Sequence, residues 1–565
     1  MNEVIRKSLI PLCILTLAGI LSWYEIGCDD HWWHVATGRV ILEQKTVPSS
    51  DLFTFTYAGQ PWRNNEWGFS VLAALLWDSG REVGFFLYRW LTFAGILLFV
   101  YLALSERLRR VYKEKSVPVG LGVITILLLS LVLQIRIAVR PHMVEYLFLS
   151  FGLWMLHRPF KVSVPFFVGS LLFLMVWAFF HPSWIVAPIV GCFFLLDQRV
   201  QERGGWAGVI PWERFSFLTG VVLGGALLIL VFGAIFLRSH VSFYWDHFFE
   251  MGTIFEWRSY LSWFTIHPFF AVTLLYYLVV LGTLPHLFRK EPFMTFAVAA
   301  VLVLSLVALR FSAEFFIVSL PFIAGRAYSF LGQRYCNETG KWGGNVRVLA
   351  LLGILTLVVA LAGNTVLMNR SWGIGVSTVN NPVLVADFME RHRISGNLWA
   401  DQLSYHSYIS FRLWPAVKVF IDGRNTQVFP VSFTRGYANG TIDLSHYPVD
   451  MILISKGLSL VRRPVEEIVR ESDAPFMLVY FNEHWALYMS KAALDRHPQV
   501  RPFRLLYPGS LVDEQWMSRI AREGKMPALE EELRYYGNLA VAPEEVRMYT
   551  LMRNEIARYG TKAVD

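Results

Sequence analysis

Charge is what this chain has little of. Asp, Glu, Lys and Arg supply 17% of its 565 residues, where a soluble protein carries about a quarter, so an ordinary water-soluble enzyme of this length is excluded. Cysteine is scarce as well. Cys13, Cys28, Cys192 and Cys336 are scattered, two of them inside apolar segments, and they offer neither a disulfide framework nor a metal-ligand spacing. No Gly-rich phosphate loop, nucleophile elbow, internal repeat or low-complexity tract is present.

What is there is apolar. Hydrophobic residues make up 55% of the chain, mean hydropathy is +0.43, and apolar runs near the ~20 residues needed to cross a bilayer recur over the first 370 residues. Aromatics are abundant, with 21 Trp, 23 Tyr and 44 Phe. Such residues anchor at membrane interfaces, and Trp in an extramembrane loop, as in Asp30-His31-Trp32-Trp33-His34, also suits sugar stacking. The net charge of +8 does not point to nucleic acid, because the basic residues sit in short loops between apolar runs, where they set topology.

Arg6 and Lys7 precede an apolar run from Ser8 to about Ile26. It has no small-x-small cleavage site before Cys28 and is long enough to span, so it reads as a retained first helix with its N-terminus inside. Further spans are expected near 84–104, 117–138, 143–156, 163–180, 185–197, 216–237, 263–285, 293–309, 313–330 and 347–368, and Trp67–Trp77 as an interfacial or re-entrant helix. The basic connections at 105–113, 157–161, 198–203, 289–290 and 326–347 then all fall inside. About eleven spans leave the C-terminal third outside. There the composition becomes that of a soluble domain. Helix-like Pro382–His392 precedes strand-like runs at 417–421, 450–455, 476–481 and 485–489, and amphipathic stretches follow at Leu529–Tyr536 and Pro543–Tyr559. The expectation is an α-helical polytopic membrane protein in three parts. A transmembrane domain (1–370) carries an outer loop at 28–67, and an extracytoplasmic α/β domain (371–492) is followed by a helical region (493–565).

Ionisable groups at a membrane are costly and therefore functional candidates. On this topology they gather at the outer face. Asp29, Asp30, His31 and His34 follow the first span, with Glu66 in the same loop. Arg136, Arg140, His142 and Glu145 sit at one outer turn, His181 at the next, Glu256 and Arg258 in the loop 238–262, and Arg310 at a later turn. Carboxylates can take a proton from a hydroxyl, and arginines can hold a phosphate through two oxygens. Duller roles compete at each position. Asp29 or Asp30 can cap a helix from His31 to about Gln44, and Glu66 can cap the helix after it or pair with Arg63. The arginines can snorkel to headgroups, His181 can be a turn residue, and Glu256 and Arg258 can form a loop ion pair. No His/Asp cluster has a clear metal spacing.

The order of a first span, then Cys28-Asp-Asp-His-Trp-Trp-His-Val-Ala-Thr-Gly-Arg39, Val47-Pro-Ser-Ser-Asp51 and Pro61-Trp-Arg-Asn-Asn-Glu-Trp67 resembles bacterial membrane glycosyltransferases of the GT-C superfamily. The layout is similar to that of protein O-mannosyltransferases and lipid A aminoarabinose transferases. The resemblance implies a polyprenyl-phosphate sugar donor and an acidic residue after the first helix acting as base or metal ligand: Asp30 first, Asp29 second. A divalent metal (Mg or Mn) at Asp29 and Asp30 stays open. Glu66 falls where related proteins have loop residues near the donor, and Arg310 matches an arginine at a late outer turn. Arg140, Arg310 and Arg136 are candidates for the donor phosphate. His34, His31, Trp33, His181, Glu256 and Arg258 are candidates for lining the substrate site. The run Val419-Phe-Ile-Asp-Gly-Arg424 is familiar from outer domains of related chains, and reads as a strand ending in a tight turn with an Asp–Arg pair.

The acidic pair departs from the Asp-Glu arrangement of the mannosyltransferases, and the C-terminal region lacks a Trp-Trp-Asp motif, so transfer of a whole glycan to Asn is not expected. The expected activity is inverting sugar transfer to a hydroxyl of a lipid, glycan or protein, in the bacterial inner membrane. The alternatives are a non-catalytic scaffold for surface glycan assembly and a lipid-linked saccharide transporter. Transport is disfavoured by the lack of paired interrupted helices and the scarcity of ionisable groups near the membrane centre.

Overall fold

A computed structural model describes residues 3–114, 117–158, 163–197 apart from 186, 189, 192 and 195, 269–339, 370–455, 476–506 and 514–562. The spans expected at 216–237 and 347–368, the loop with Glu256 and Arg258, and the basic connection 198–203 lie outside the described residues. By its contacts the chain divides into two units, Met1–Ile26 with Asn64–Gly375 and Gly27–Arg63 with Val376–Asp565. The outer loop, assigned from sequence to the transmembrane domain, therefore groups largely with the C-terminal residues.

The elements run α1 (Glu3–Ser22), α2 (His31–Gln44), α3 (Trp67–Val111), α4 (Val119–Leu133), α5 (Pro141–His157), α6 (Val164–Phe180), α7 (Phe269–Lys290), α8 (Pro292–Val307), α9 (Ser312–Thr339) and α10 (Val383–Arg391). Then come β1 (Gly396–Ala400), α11 (Leu403–Leu413), β2 (Val417–Val419), α12 (Val431–Asn439), β3 (Met451–Ser455), β4 (Phe476–Phe481), β5 (Trp485–Ser490), α13 (Lys491–Arg496), α14 (Glu514–Arg522), α15 (Met526–Leu539) and α16 (Pro543–Lys562).

The first unit is helical. α3 is its spine, packing against α1, α5 and α9. The backbone breaks at Arg81 (φ 49°, ψ −132°), which separates the short apolar piece expected from Trp67 from the long span after it. The turn is tight enough to need Gly84, since a Cβ there would run into the Leu76 carbonyl. Among the described residues α3 alone has the length and apolar character to cross a membrane, and shorter apolar helices lie at Ile10–Ser22, Gly120–Arg136, Val164–Phe180, Leu274–Arg289 and Pro292–Val307. Arg107 pairs with Glu291 through two bonds (Nη1–Oε1 2.9 Å), so a buried charge on α3 is neutralised at the start of α8.

The second unit is built on a five-stranded sheet of order β2-β1-β3-β5-β4. β1 pairs parallel with both β2 and β3, while β5 runs antiparallel to β3 and β4. The chain leaves β1 for β2 on one side and returns to β3 on the other, which makes the carboxyl ends of these strands the usual crevice of such sheets. β2 is an edge, and residues 53–55 of the outer loop cover it. Phe55 N donates to Val419 O, and Val419 N to Phe53 O, both at 3.1 Å. That pairing satisfies backbone groups an open edge would expose. Trp399, Phe420, Ile421, Phe429, Tyr437, Ile452 and Ile454 form a buried core on one face of the sheet. The strand-like runs read from the sequence become β2 to β5, whereas β1, the strand between β2 and β3, was not expected.

Candidate active site

The acidic pair sits at the start of α2. Asp30 is the N-cap residue, yet its side chain makes no capping bond. Asp29 Oδ1 instead accepts from the Asp30 amide at 2.8 Å. Capping therefore does not account for the Asp30 carboxylate, which is half-buried. The aromatic residues after it anchor the helix. Trp32 stacks on Phe411 (4.7 Å between centroids) and donates to Asn381 Oδ1 at 2.8 Å. Trp33 stacks on His34 (3.5 Å) and meets Trp62 edge-on. His31, Trp33 and His34 are all buried, so their first role is packing α2 within its unit. Cys28 donates its thiol to the Ser404 carbonyl.

The same unit holds a buried ion cluster. Arg424 meets Asp51 (Nη2–Oδ1 2.5 Å) and Asp422 (Nε–Oδ1 2.8 Å, Nη2–Oδ2 2.8 Å), with all three side chains fully buried. Its guanidinium lies over the rings of Trp62 (4.5 Å) and Phe53 (5.1 Å). Burial alone would lower its pKa, but Asp422 and Asp51 hold it above the ordinary value. The Asp–Arg turn anticipated in the sequence is present. Asp51, far off in sequence, is the partner that spacing within the motif cannot reveal.

In the first unit a second polar cluster forms. His181, at the C-terminus of α6, contacts Glu145 Oε2 through Nδ1 at 2.9 Å and lies 3.7 Å from Glu66 through Nε2. The Ser183 hydroxyl is 2.8 Å from the same Nδ1. Glu66 is the N-cap residue of α3 and, like Asp30, makes no side-chain capping bond. Arg310 lies close enough to act electrostatically on Glu145 and Glu314. Arg136 Nε donates to the Tyr146 hydroxyl at 3.3 Å and acts on Glu314. Arg140 is half-buried and offers its carbonyl to Tyr88. Glu314 is absent from the residues singled out by sequence. Its signal was a lone carboxylate inside an apolar span.

The candidates thus separate into Asp29, Asp30, His31, Trp33 and His34 in the second unit, and Glu66, Arg136, Arg140, His181 and Arg310 in the first. Among the described residues no three His, Cys, Asp or Glu side chains are arranged to hold a metal ion, so Asp29 and Asp30 have no third protein ligand there.

No family model matches the sequence, and no curated protein sequence matches it. Solved structures do resemble it. The oligosaccharyltransferase AglB from Archaeoglobus fulgidus, in complex with an inhibitory peptide and a dolichol-phosphate, superposes with a TM-score of 0.51 at 12% identity, over 80% of this chain and 70% of AglB. The chain has a GT-C-like fold. ArnT from Cupriavidus metallidurans bound to undecaprenyl phosphate gives a TM-score of 0.46 at 13% identity, over 86% of this chain and 98% of ArnT.

Proposed function

We propose that the chain is an inverting glycosyltransferase that moves a sugar from a polyprenyl-phosphate donor to an acceptor hydroxyl at the outer face of the bacterial inner membrane. About eleven spans and a C-terminal domain outside complete this reading. The observation that carries it is the GT-C-like fold with an acidic pair at the start of α2 whose Asp30 carboxylate is not used for capping. The dolichol-phosphate held by AglB supports a lipid-phosphate donor.

In this reading Asp30, with Asp29 as second choice, takes the proton of the acceptor hydroxyl. The hydroxyl oxygen attacks the anomeric carbon as the bond from that carbon to the phosphate oxygen breaks, which inverts the configuration. The bond electrons leave on the polyprenyl phosphate, and Arg310, Arg140 or Arg136 neutralises its growing charge. Glu66, His181 and His34 shape the site. No step runs through a metal.

The test is sugar transfer by purified protein in liposomes, offered a panel of radiolabelled polyprenyl-phosphate sugars and acceptor extract, with and without Mg or Mn. Asp30→Asn should abolish transfer while donor binding persists, with Asp29→Asn and Glu66→Gln run alongside. Donor binding without transfer by the wild type would favour a scaffold or a transporter instead.

A further inference from the structure

The run Asp422-Gly423-Arg424 has no role in the chemistry above, yet it lies at the carboxyl end of β2 and against the acidic pair. A Cβ built on Gly423 would collide with Asp30 Oδ1 and come within 3.2 Å of the Trp33 indole at Cδ1 and Nε1. The space beside the Gly423 Cα is therefore taken by the Asp30 carboxylate, and a side chain at 423 would require that carboxylate to move. The Gly423 amide donates to Ser407 Oγ at 3.3 Å, which ties this backbone to α11.

What holds the turn there is the ion cluster next to it. Arg424 is gripped by Asp422 from its own turn, through both the amide (3.1 Å) and the guanidinium (2.8 Å), and by Asp51 from the outer loop. Asp51 is itself fixed, accepting from the amides of Phe53 (3.1 Å) and Thr54 (3.2 Å). A fully buried, bidentate guanidinium has little freedom to move. The same guanidinium covers Trp62, whose ring meets Trp33. One rigid chain of contacts thus runs from Asp51 through Arg424 and Gly423 to Asp30 and Trp33.

We infer that the Asp422-Gly423-Arg424 turn is a positioning element that sets the orientation of the Asp30 carboxylate, with Gly423 as its contact point and the Asp51–Arg424 pair as its anchor. This rests on the reading of Asp30 as the base. Gly423 touches no reacting atom and acts through Asp30 alone. A methyl group at 423 meets the free end of a short side chain, so the least costly relief is rotation of the carboxylate, and the fold survives while its base is misaimed.

Two measurements on the full-length protein in liposomes test this. In transfer assays Gly423→Ala should lower kcat roughly a hundredfold, the cost of misplacing a reacting group by about 1 Å, with KM for the donor changed less than about twofold. A thermal double-mutant cycle reads the contact without activity. Gly423→Ala should lower Tm in the wild-type background and lower it less in an Asp30→Ala background, where Oδ1 is gone. Equal Tm losses in both backgrounds would overturn the contact. Coupled Tm losses with kcat unchanged in Gly423→Ala, while Asp30→Asn is inactive, would overturn the positioning role. If Asp30→Asn transfers sugar like the wild type, the base assignment fails instead, and the thermal coupling still reports whether the contact exists.

Discussion

In each unit a buried nitrogen-bearing side chain lies between two carboxylates, and the two arrangements differ in how tightly they are made. In the second unit Arg424 lies between Asp51 and Asp422, all three fully buried, with contacts of 2.5 and 2.8 Å. In the first, His181 lies between Glu145 and Glu66 at 2.9 and 3.7 Å, and its partners keep 4% and 11% of their side-chain surface. Arginine cannot give up its proton, so the Arg424 arrangement is a permanent clasp. The imidazole is held closely on one side, by Glu145 at 2.9 Å, and at 3.7 Å by Glu66 on the other. The Arg424 cluster is the tighter of the two, and the His181 cluster is the one the proposed function draws on.

Breaking the clasp should have the largest effect. Arg424→Ala leaves Asp51 and Asp422 as buried, unneutralised neighbours, and about 3–5 kcal/mol of stability should be lost. A fall in Tm, with hydrogen exchange accelerated over the second unit, checks this, and a variant that melts like the wild type would remove the contrast altogether. His181→Gln should do the opposite. It keeps a polar side chain between the two glutamates, so Tm should shift little while transfer falls roughly ten- to a hundredfold. A variant that unfolds with Arg424→Ala severity would make His181 a second clasp.

Asp401, at the carboxyl end of β1, sharpens the comparison by being a buried carboxylate with no cationic partner among the described residues. Its Oδ2 accepts from the amide (3.1 Å) and hydroxyl (3.0 Å) of Ser455, while Oδ1 has no partner among the described residues. Burial pushes its pKa up to about 7, against the Ser455 bonds. A carboxyl group whose pKa is raised on folding favours the folded state at low pH. That advantage is complete below the unfolded value near 3.9 and is lost as pH rises through about 7. Asp401→Asn should therefore melt higher than the wild type at pH 8 and no higher at pH 4. At the other extreme, the Arg501–Glu531 pair (2.8 Å) is exposed on both sides, and Arg501→Ala should leave Tm unchanged within error.

How far the sequence reached differs by element. α2 was expected from His31 to about Gln44 and runs His31–Gln44, because a cap-type residue and an aromatic run mark its start. β3 to β5 were legible as compact apolar runs. β1 was not, because Gly396-Asn397-Leu398-Trp399-Ala400 begins with turn residues, and pairing on both edges overrides that propensity. α11 carries Ser, Tyr and His where an apolar stripe is usual. His406 is nonetheless buried there, with Nε2 accepting from the Ala400 amide at 2.9 Å and burial lowering its pKa to about 3.

Composition and charge placement by themselves determined that the chain is apolar over its first 370 residues and soluble-like after them, and where its ionisable groups stand along it. These properties are local sums of transfer free energies, and a sum needs no knowledge of contacts. Only the tertiary structure decided that Asp51 meets Arg424 some 370 residues on, that Gly423 abuts Asp30, and that Glu145 and Glu66 share His181. Charge pairing acts at a few ångströms in space and is blind to separation along the chain.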